Sequence, residues 1–361
     1  MDDRRSPQPE NDPSRDPFEA LRPEDLDAAP TADERARQAG QAESLEIEAD
    51  DIFAEPVEDQ EPTRAAAPQP VGAAAGAAPV KQGGVVLREP DPKLAADEYA
   101  YHNGETHDLT GPFAIEFQGV HKAFGSNKIL RGLDLAIPEG KVSMILGPSG
   151  TGKSVCIKHM VGLLFPDKGD VLVQGQSVPN LDDDDLFEMR KRFGVLFQDG
   201  ALFGSMNLYD NVAFPLRQHT DKGEREIKDI VDRRLNEVGL IPAREKYPNE
   251  LSGGMRKRAG LARALVLDPD IVLFDEPDSG LDPVRTALLC ELIEEVHAEN
   301  GGTYIVITHD IASAKRVAEH IAVLWKGRIV ESGPAEDLFQ SPNPFVRQFL
   351  SGEADGPLGM E

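Results

Sequence analysis

The clearest chemistry in this chain lies in eight consecutive residues. Gly147-Pro148-Ser149-Gly150-Thr151-Gly152-Lys153-Ser154 fits the phosphate-cradling pattern G-x-x-x-x-G-K-[ST] without a mismatch. Small residues let backbone N–H groups approach phosphate oxygens, so Gly147, Ser149, Gly150, Thr151 and Gly152 form a candidate cradle. Lys153 is spaced to reach the β- and γ-phosphates, and the Ser154 hydroxyl to ligate Mg²⁺. Asp275 and Glu276 are a second group. Asp275 suits holding the water shell of Mg²⁺, and Glu276 suits polarising an attacking water as general base. Gln198 is placed to touch Mg²⁺ or that water. His309 is placed to contact the γ-phosphate; a lone His is more often structural, so its position carries the argument, not its type. Ser252-Gly253-Gly254 opens a helix with free N–H groups, no side-chain bulk and one hydroxyl, which is a second anion site.

The elements around these residues explain why they meet. Val142 to Leu146 reads as a buried strand and Val155 to Leu164 as a helix, the setting a phosphate loop requires. Gly194 to Phe197, Ile271 to Phe274 and Tyr304 to Thr308 are further apolar runs of strand length. Gln198, Asp275-Glu276 and His309 each follow such a run, and ligands of α/β proteins bind at the C-terminal ends of strands. Ala114 to Val120 and Leu133 to Ile137 alternate like half-exposed strands, with Phe124 between them. Phe124 is either an adenine-stacking ring or a core or turn aromatic. Gly169 to Gly175 reads as a strand and turn, and Asp182 to Asp185 as the start of a helix through Arg192. Residues from Asp199 to about Glu250 are mostly helical, with Ile227, Ile230, Val231, Leu235 and Val238 at helical spacing and Gly239 as a stop. Ser279 to Asp282 is a tight loop, and Lys326-Gly327 turns a hairpin between Ile321–Leu324 and Arg328–Glu331.

The 361 residues carry a formal net charge of −26. Residues 1–110 hold 26 acidic and 10 basic side chains and few aromatics. Such a stretch buries too little apolar surface to offset its ordering entropy, so it is expected to be a disordered acidic extension. A short amphipathic piece near Ala42–Phe53 is either a partner-docking helix or part of a solvated tail. The negative balance argues against nucleic acid as a partner. Cys156 and Cys290 lack metal-ligand spacing and read as buried residues of a reduced protein, although a modified thiol at Cys156 would block the phosphate loop. No signal peptide is expected behind Met1, and no run approaches the roughly 18–20 apolar residues of a membrane span. Any membrane work would need other chains to supply the spans.

Six motifs occur in the order of an ATP-binding cassette (ABC) ATPase: the phosphate loop, Gln198, Leu251–Met255, Asp275-Glu276, Ser279–Asp282 and His309. The chain resembles that family over about residues 113–350. The resemblance implies an α/β P-loop NTPase fold with a mostly parallel core sheet, an antiparallel β subdomain and an inserted helical subdomain near 200–257. It leaves 1–112 as a disordered extension and 351–361 as a flexible tail. It implies ATP and Mg²⁺ as cofactors, with Lys153, Gln198, Glu276 and His309 catalytic and Ser154, Gln198 and Asp275 on the metal. Phe124 matches the ring that stacks on adenine, and Asp282 is carried over as a nucleotide-side residue. Two cassettes are implied to pair head to tail, Ser252-Gly253-Gly254 of one closing on ATP held by Lys153 of the other. Leu196–Phe203, Met206–Val212, Pro215–Thr220 and Val346–Gly352 are similar to the Mla/Mce lipid-transport ATPases, of actinobacterial Mce type. That similarity implies an integral membrane permease, Mce/Mla-type lipid-binding proteins, room for a small regulatory subunit, and a place on the cytoplasmic face of the inner membrane. A soluble, non-transport cassette is the second class; such relatives usually carry two cassettes, a long coiled coil or basic surfaces, which this chain lacks. A regulatory or scaffolding role for the N-terminal extension is the third.

Overall fold

The computed structural model of the chain describes residues 101–102, 105–106 and 111–358; residues 1–100 of the acidic extension, with the Ala42–Phe53 stretch, lie outside them. In chain order come β1 (Glu105–Thr106), β2 (Phe113–Phe124), β3 (Asn127–Pro138), β4 (Val142–Leu146) and α1 (Lys153–Met160). Then follow β5 (Lys168–Val173), β6 (Gln176–Ser177), α2 (Asp183–Arg190), β7 (Phe193–Leu196), α3 (Leu208–His219), α4 (Glu224–Glu237) and α5 (Gly253–Leu265). The last third holds β8 (Ile271–Asp275), α6 (Pro283–Asn300), β9 (Thr303–Thr308), α7 (Ile311–Val317), β10 (His320–Trp325), β11 (Arg328–Pro334), α8 (Ala335–Leu338) and α9 (Pro344–Ser351).

Among the described residues the strands form two sheets. One runs β1-β11-β10-β4-β9-β8-β7 and is parallel except for the β10–β11 hairpin; the other is antiparallel, β3-β2-β5-β6. The central strands have no polar alternation because both of their faces are covered. All five residues of β4 are buried. Met144 packs into a core shared with α3 to α6, while Ile145 packs into one shared with α1 and the antiparallel sheet. The polar α4 works by periodicity alone: Ile227, Val231 and Leu235 are buried on one side. Gly239, at φ 65°, ends that helix, and the Leu240 N–H reaches back to Leu235 O at 2.7 Å.

Three features depart from the sequence expectation. Strands β2 and β3 are longer than their alternating stretches and meet at Gly125-Ser126, so Phe124 ends a hairpin opposite Asn127. Their pairing slips at several bulges, which breaks the period of two that the eye follows. Nor does order begin at 113. β1 pairs with β11, Glu105 opposite Glu331, and the Tyr101 ring lies 6.5 Å from Phe345. A short pairing segment covers the sheet edge that β11 would otherwise leave open. The C-terminal tail, expected to be flexible over 351–361, is tied back as far as Leu358. Gln348 of α9 accepts from Leu358 N–H at 2.7 Å and donates to Glu353 O and Ala354 O.

His320 starts β10 opposite Ser143 and is 1% exposed, and neither its ring nitrogens nor the Ser143 hydroxyl have a hydrogen-bond partner among the described residues. Burial, reinforced by Lys141, pushes its imidazole from 6.5 down to about 4. The unfolded chain therefore binds the extra proton between those values, and stability falls as pH drops through that window. Urea unfolding should show His320→Leu removing a pH-dependent loss of about 3 kcal/mol between neutrality and pH 4.

Candidate active site

Parallel register brings the candidate groups to one edge. Leu146 of β4 pairs with Thr308 of β9, Ile307 of β9 with Asp275 of β8, and Phe274 of β8 with Leu196 of β7. Gly147, His309, Glu276 and Gln198 thus leave neighbouring strands, each about 4.8 Å from the next.

The phosphate loop needs glycine for two reasons. A Cβ on Gly147 would meet Leu324 O at 2.3 Å, and Gly152 sits at φ 106° as the N-cap of α1. Ser149 and Gly150 are exposed, whereas Thr151 is buried and donates to Pro148 O at 2.9 Å. Lys153 is 5% exposed; its ammonium donates to Gly147 O at 2.8 Å and Pro148 O at 3.0 Å and lies 3.9 Å from Glu276 Oε1. Burial lowers the Lys153 pKa, against the pull of Glu276 and Asp275. Ser154 Oγ donates to Asp275 Oδ1 at 3.3 Å. Burial raises the Asp275 carboxyl, and the Ser154 hydrogen bond opposes it. A hydroxyl and one carboxylate are hard oxygen donors, the set Mg²⁺ uses when phosphates and waters supply the remainder.

Glu276 takes φ 45°, in the left-handed region, at a cost of about 1–2 kcal/mol for a residue with a side chain. Its N–H donates to Ile307 O at 2.8 Å, and its carbonyl accepts from Ser279 N–H at 3.1 Å. That conformation aims the carboxylate at Lys153 and at His309, whose Nδ1 is 3.8 Å from Glu276 Oε1. Exposed Gln198 donates to Ser279 Oγ at 3.0 Å. Phe124 is 49% exposed with Lys122 Nζ 5.7 Å from its ring centroid, so it is no core aromatic and offers a free face. Cys156 is wholly buried with its thiol pushed up to about 12, an inert residue of the core.

Two predicted groups stay apart from this cluster within the chain. Exposed Ser252 caps its own helix α5, accepting from Met255 N–H at 3.3 Å, with Gly253 and Gly254 in the first turn. Asp282 caps α6 through Val284 N–H and Arg285 N–H, both at 3.0 Å. Sequence reasoning missed the residue that ties them together. Lys257 of α5 is 4% exposed and donates to Pro277 O at 2.7 Å and to Ser279 O, on the loop that follows Glu276. In the run Arg256-Lys257-Arg258 only the helical period marks it, since it shares a face with Gly260, Leu261 and Ala264.

A family model described as ABC transporter matches residues 130–279. The intermembrane phospholipid transport system ATP-binding protein MlaF of Escherichia coli K12 is 41% identical over 244 residues, 68% of this chain and 91% of that one. The chain belongs to the ABC transporter ATP-binding proteins. This cassette is also 55% identical, over 68% of its length, to the probable ribonucleotide transport ATP-binding protein mkl of Mycobacterium leprae, covering 71% of it. A solved dimeric cassette in a post-hydrolysis state with ADP and Pi is 30% identical at a TM-score of 0.57, over 61% of this chain and 98% of that one. The cassette is therefore an ATPase with the family's ATP-binding fold, and no helix among its described residues is long and apolar enough to cross a membrane.

Replacing Lys257 by Met removes the ammonium that holds the Pro277–Ser279 carbonyls while keeping the stem's packing. Turnover should fall about tenfold or more while fluorescent-ATP affinity changes less than about threefold, the split expected of a group that positions Glu276 without touching substrate.

Proposed function

We propose that this cassette is the ATP-hydrolysing subunit of a lipid transporter, working as a homodimer beneath a separate permease on the cytoplasmic face of the inner membrane. The observation that carries the catalytic half is the convergence of Glu276 with Lys153 and His309 at one strand edge. Lys153 exchanges its loop carbonyls for β- and γ-phosphate oxygens and neutralises them. Phe124 offers its exposed face to adenine, and the N–H groups of Ser149 to Ser154 cradle the phosphates. Ser154 and Asp275 would hold Mg²⁺, with Gln198 beside it, and the bound ion would supply charge neutralisation at the phosphates. Glu276 orients the attacking water and takes its proton, and His309 contacts the γ-phosphate from the other side.

The partner's Ser252-Gly253-Gly254 turn and Asp282 loop complete each pocket. Exposed Ser252 and the dimeric state of the solved relative support this. Phe197, just before the Gln198–Met206 stretch, and Phe203 within it are exposed, as is Phe187, whose ring lies 5.4 Å from His219 of the helical subdomain. Apolar exposure of this kind suits a cytoplasmic helix of the permease.

Lipid cargo, moved with Mce/Mla-type lipid-binding proteins, follows the phospholipid-transport relative, which is matched over 91% of its length. Ribonucleotide cargo is the second reading, favoured by the description of the 55% identical relative. Purification of the tagged chain from detergent-solubilised membranes should bring down a multi-span permease with extractable lipid. Recovery of ribosomes or DNA without a membrane protein would overturn the transport reading; a permease whose ATPase responds to ribonucleotides and not to lipid would overturn the cargo. Separately, Glu276→Gln should keep ATP binding, accumulate dimers and lower turnover by about 10²–10⁴-fold. Near-native turnover would remove Glu276 as base.

A further inference from the structure

Beyond the nucleotide edge, the face formed by α6 and α7 carries both a hollow and a projection. The hollow, about 490 Å³, lies between the Ser279–Leu281 loop and the two helices, with Leu281, Ala287, Cys290 and Ala312 supplying apolar lining and His309 and Ser313 at its wall. The projection is Val284, 70% exposed, and Leu288, 58% exposed, one helical turn apart on α6. A pair of aliphatic side chains held this far into water on a rigid helix is stabilised only by a partner that covers it.

We propose that a second copy of this chain is that partner: Val284 and Leu288 of each protomer enter the other's hollow between α6 and α7 when the ATP-bound dimer closes. The proposal rests on the sandwich reading above and adds to it an apolar interlock away from the nucleotide. Three observations support a second copy as occupant. The hollow and the projection lie on one chain, side by side on α6, which is what a two-fold axis requires of a self-complementary face. The hollow shares Ser279 and His309 with the candidate active site, so it is continuous with the surface a partner must cover to bring Ser252 to the phosphates. The third is charge: within each chain Arg285 pairs with Asp282 and Arg316 with Glu291, so these side chains beside the two features bring no unmatched charge to the contact.

The interlock also gives the hydrolysis site a mechanical reading. The hollow's wall includes Ser279, whose carbonyl takes the Lys257 ammonium, and His309, 3.8 Å from Glu276. Filling it from the partner would fix both, so Glu276 would be set for turnover only in the closed dimer.

The test uses the full chain carrying Glu276→Gln, with MgATP, followed by sedimentation velocity. Adding Val284→Ser and Leu288→Ser should weaken dimerisation about tenfold or more, with fluorescent-ATP affinity of the monomer unchanged. Ala312→Glu, in the hollow's wall, should weaken it too, and combining the changes should add little, because they break one contact. An unaltered dimerisation constant in the serine variant, or full additivity with Ala312→Glu, would overturn the interlock and leave the sandwich standing. If the Glu276→Gln chain stays monomeric with MgATP while its Val284 and Leu288 are intact, sandwich and interlock fall together.

Discussion

The site depends on the in-register parallel pairing of β4, β9, β8 and β7. β9, β8 and β7 lead into His309, Asp275-Glu276 and Gln198, β4 leads into the phosphate loop, and none of these would meet without that register. The apolar strands are covered on both faces, so a slip would drive side chains of the wrong shape into the packing on each face. Past the loop that follows β4, helix α1 starts at Gly152, a glycine in the left-handed region, and Lys153 turns back over its own loop. Packing energy far from the chemistry therefore sets distances at the chemistry, such as the 3.9 Å between Lys153 and Glu276.

Electrostatics at that edge favours a bound phosphate. Burial pulls the Lys153 pKa down and pushes the Asp275 pKa up, so both charged forms are disfavoured by desolvation. Asp275 and Glu276 add like-charge repulsion to the second of these shifts. A triphosphate with its cation would supply the opposite charge to each group at once, and its binding would stabilise the fold by mass action. The strained backbone of Glu276 is tolerable on the same account. Two backbone hydrogen bonds, to Ile307 O and from Ser279 N–H, hold it in place, so its carboxylate need not be ordered at the moment of reaction.

Much of this is legible in the residues. The phosphate loop is contiguous, the four central strands are unbroken apolar runs, and Gln198, Asp275-Glu276 and His309 follow them directly. What stays hidden depends on tertiary contact. The β2–β3 hairpin reads short because bulges interrupt its alternation, so Phe124 reads as a residue between strands until the register places it opposite Asn127. The Glu105–Thr106 strand carries no pattern of its own; the open edge of β11 defines it. Lys257 is invisible for a related reason. A buried ammonium is specified by the two carbonyls it satisfies, and those lie twenty or more residues downstream.

Lys257 also gives the proposed site, split between copies, a way to act as one. Ser252 lies at the exposed start of α5, where its hydroxyl is engaged by its own helix. Lys257 is a little over one turn further along the same helix and holds the loop leading from Glu276 to Ser279. Arg263, further still, donates to Gly200 O and Ala201 O, just past Gln198. One rigid helix thus grips the segments behind two candidate catalytic side chains while presenting its N-terminus outward. Any contact that shifts that N-terminus moves the helix as a body, because its buried face is packed on β7 through Gly260 and Leu196, where an added Cβ would come within 2.7 Å. On the proposed sandwich, a neighbour's phosphates at Ser252 would then be felt at this chain's own Glu276, which is what coupling between two ATP sites requires.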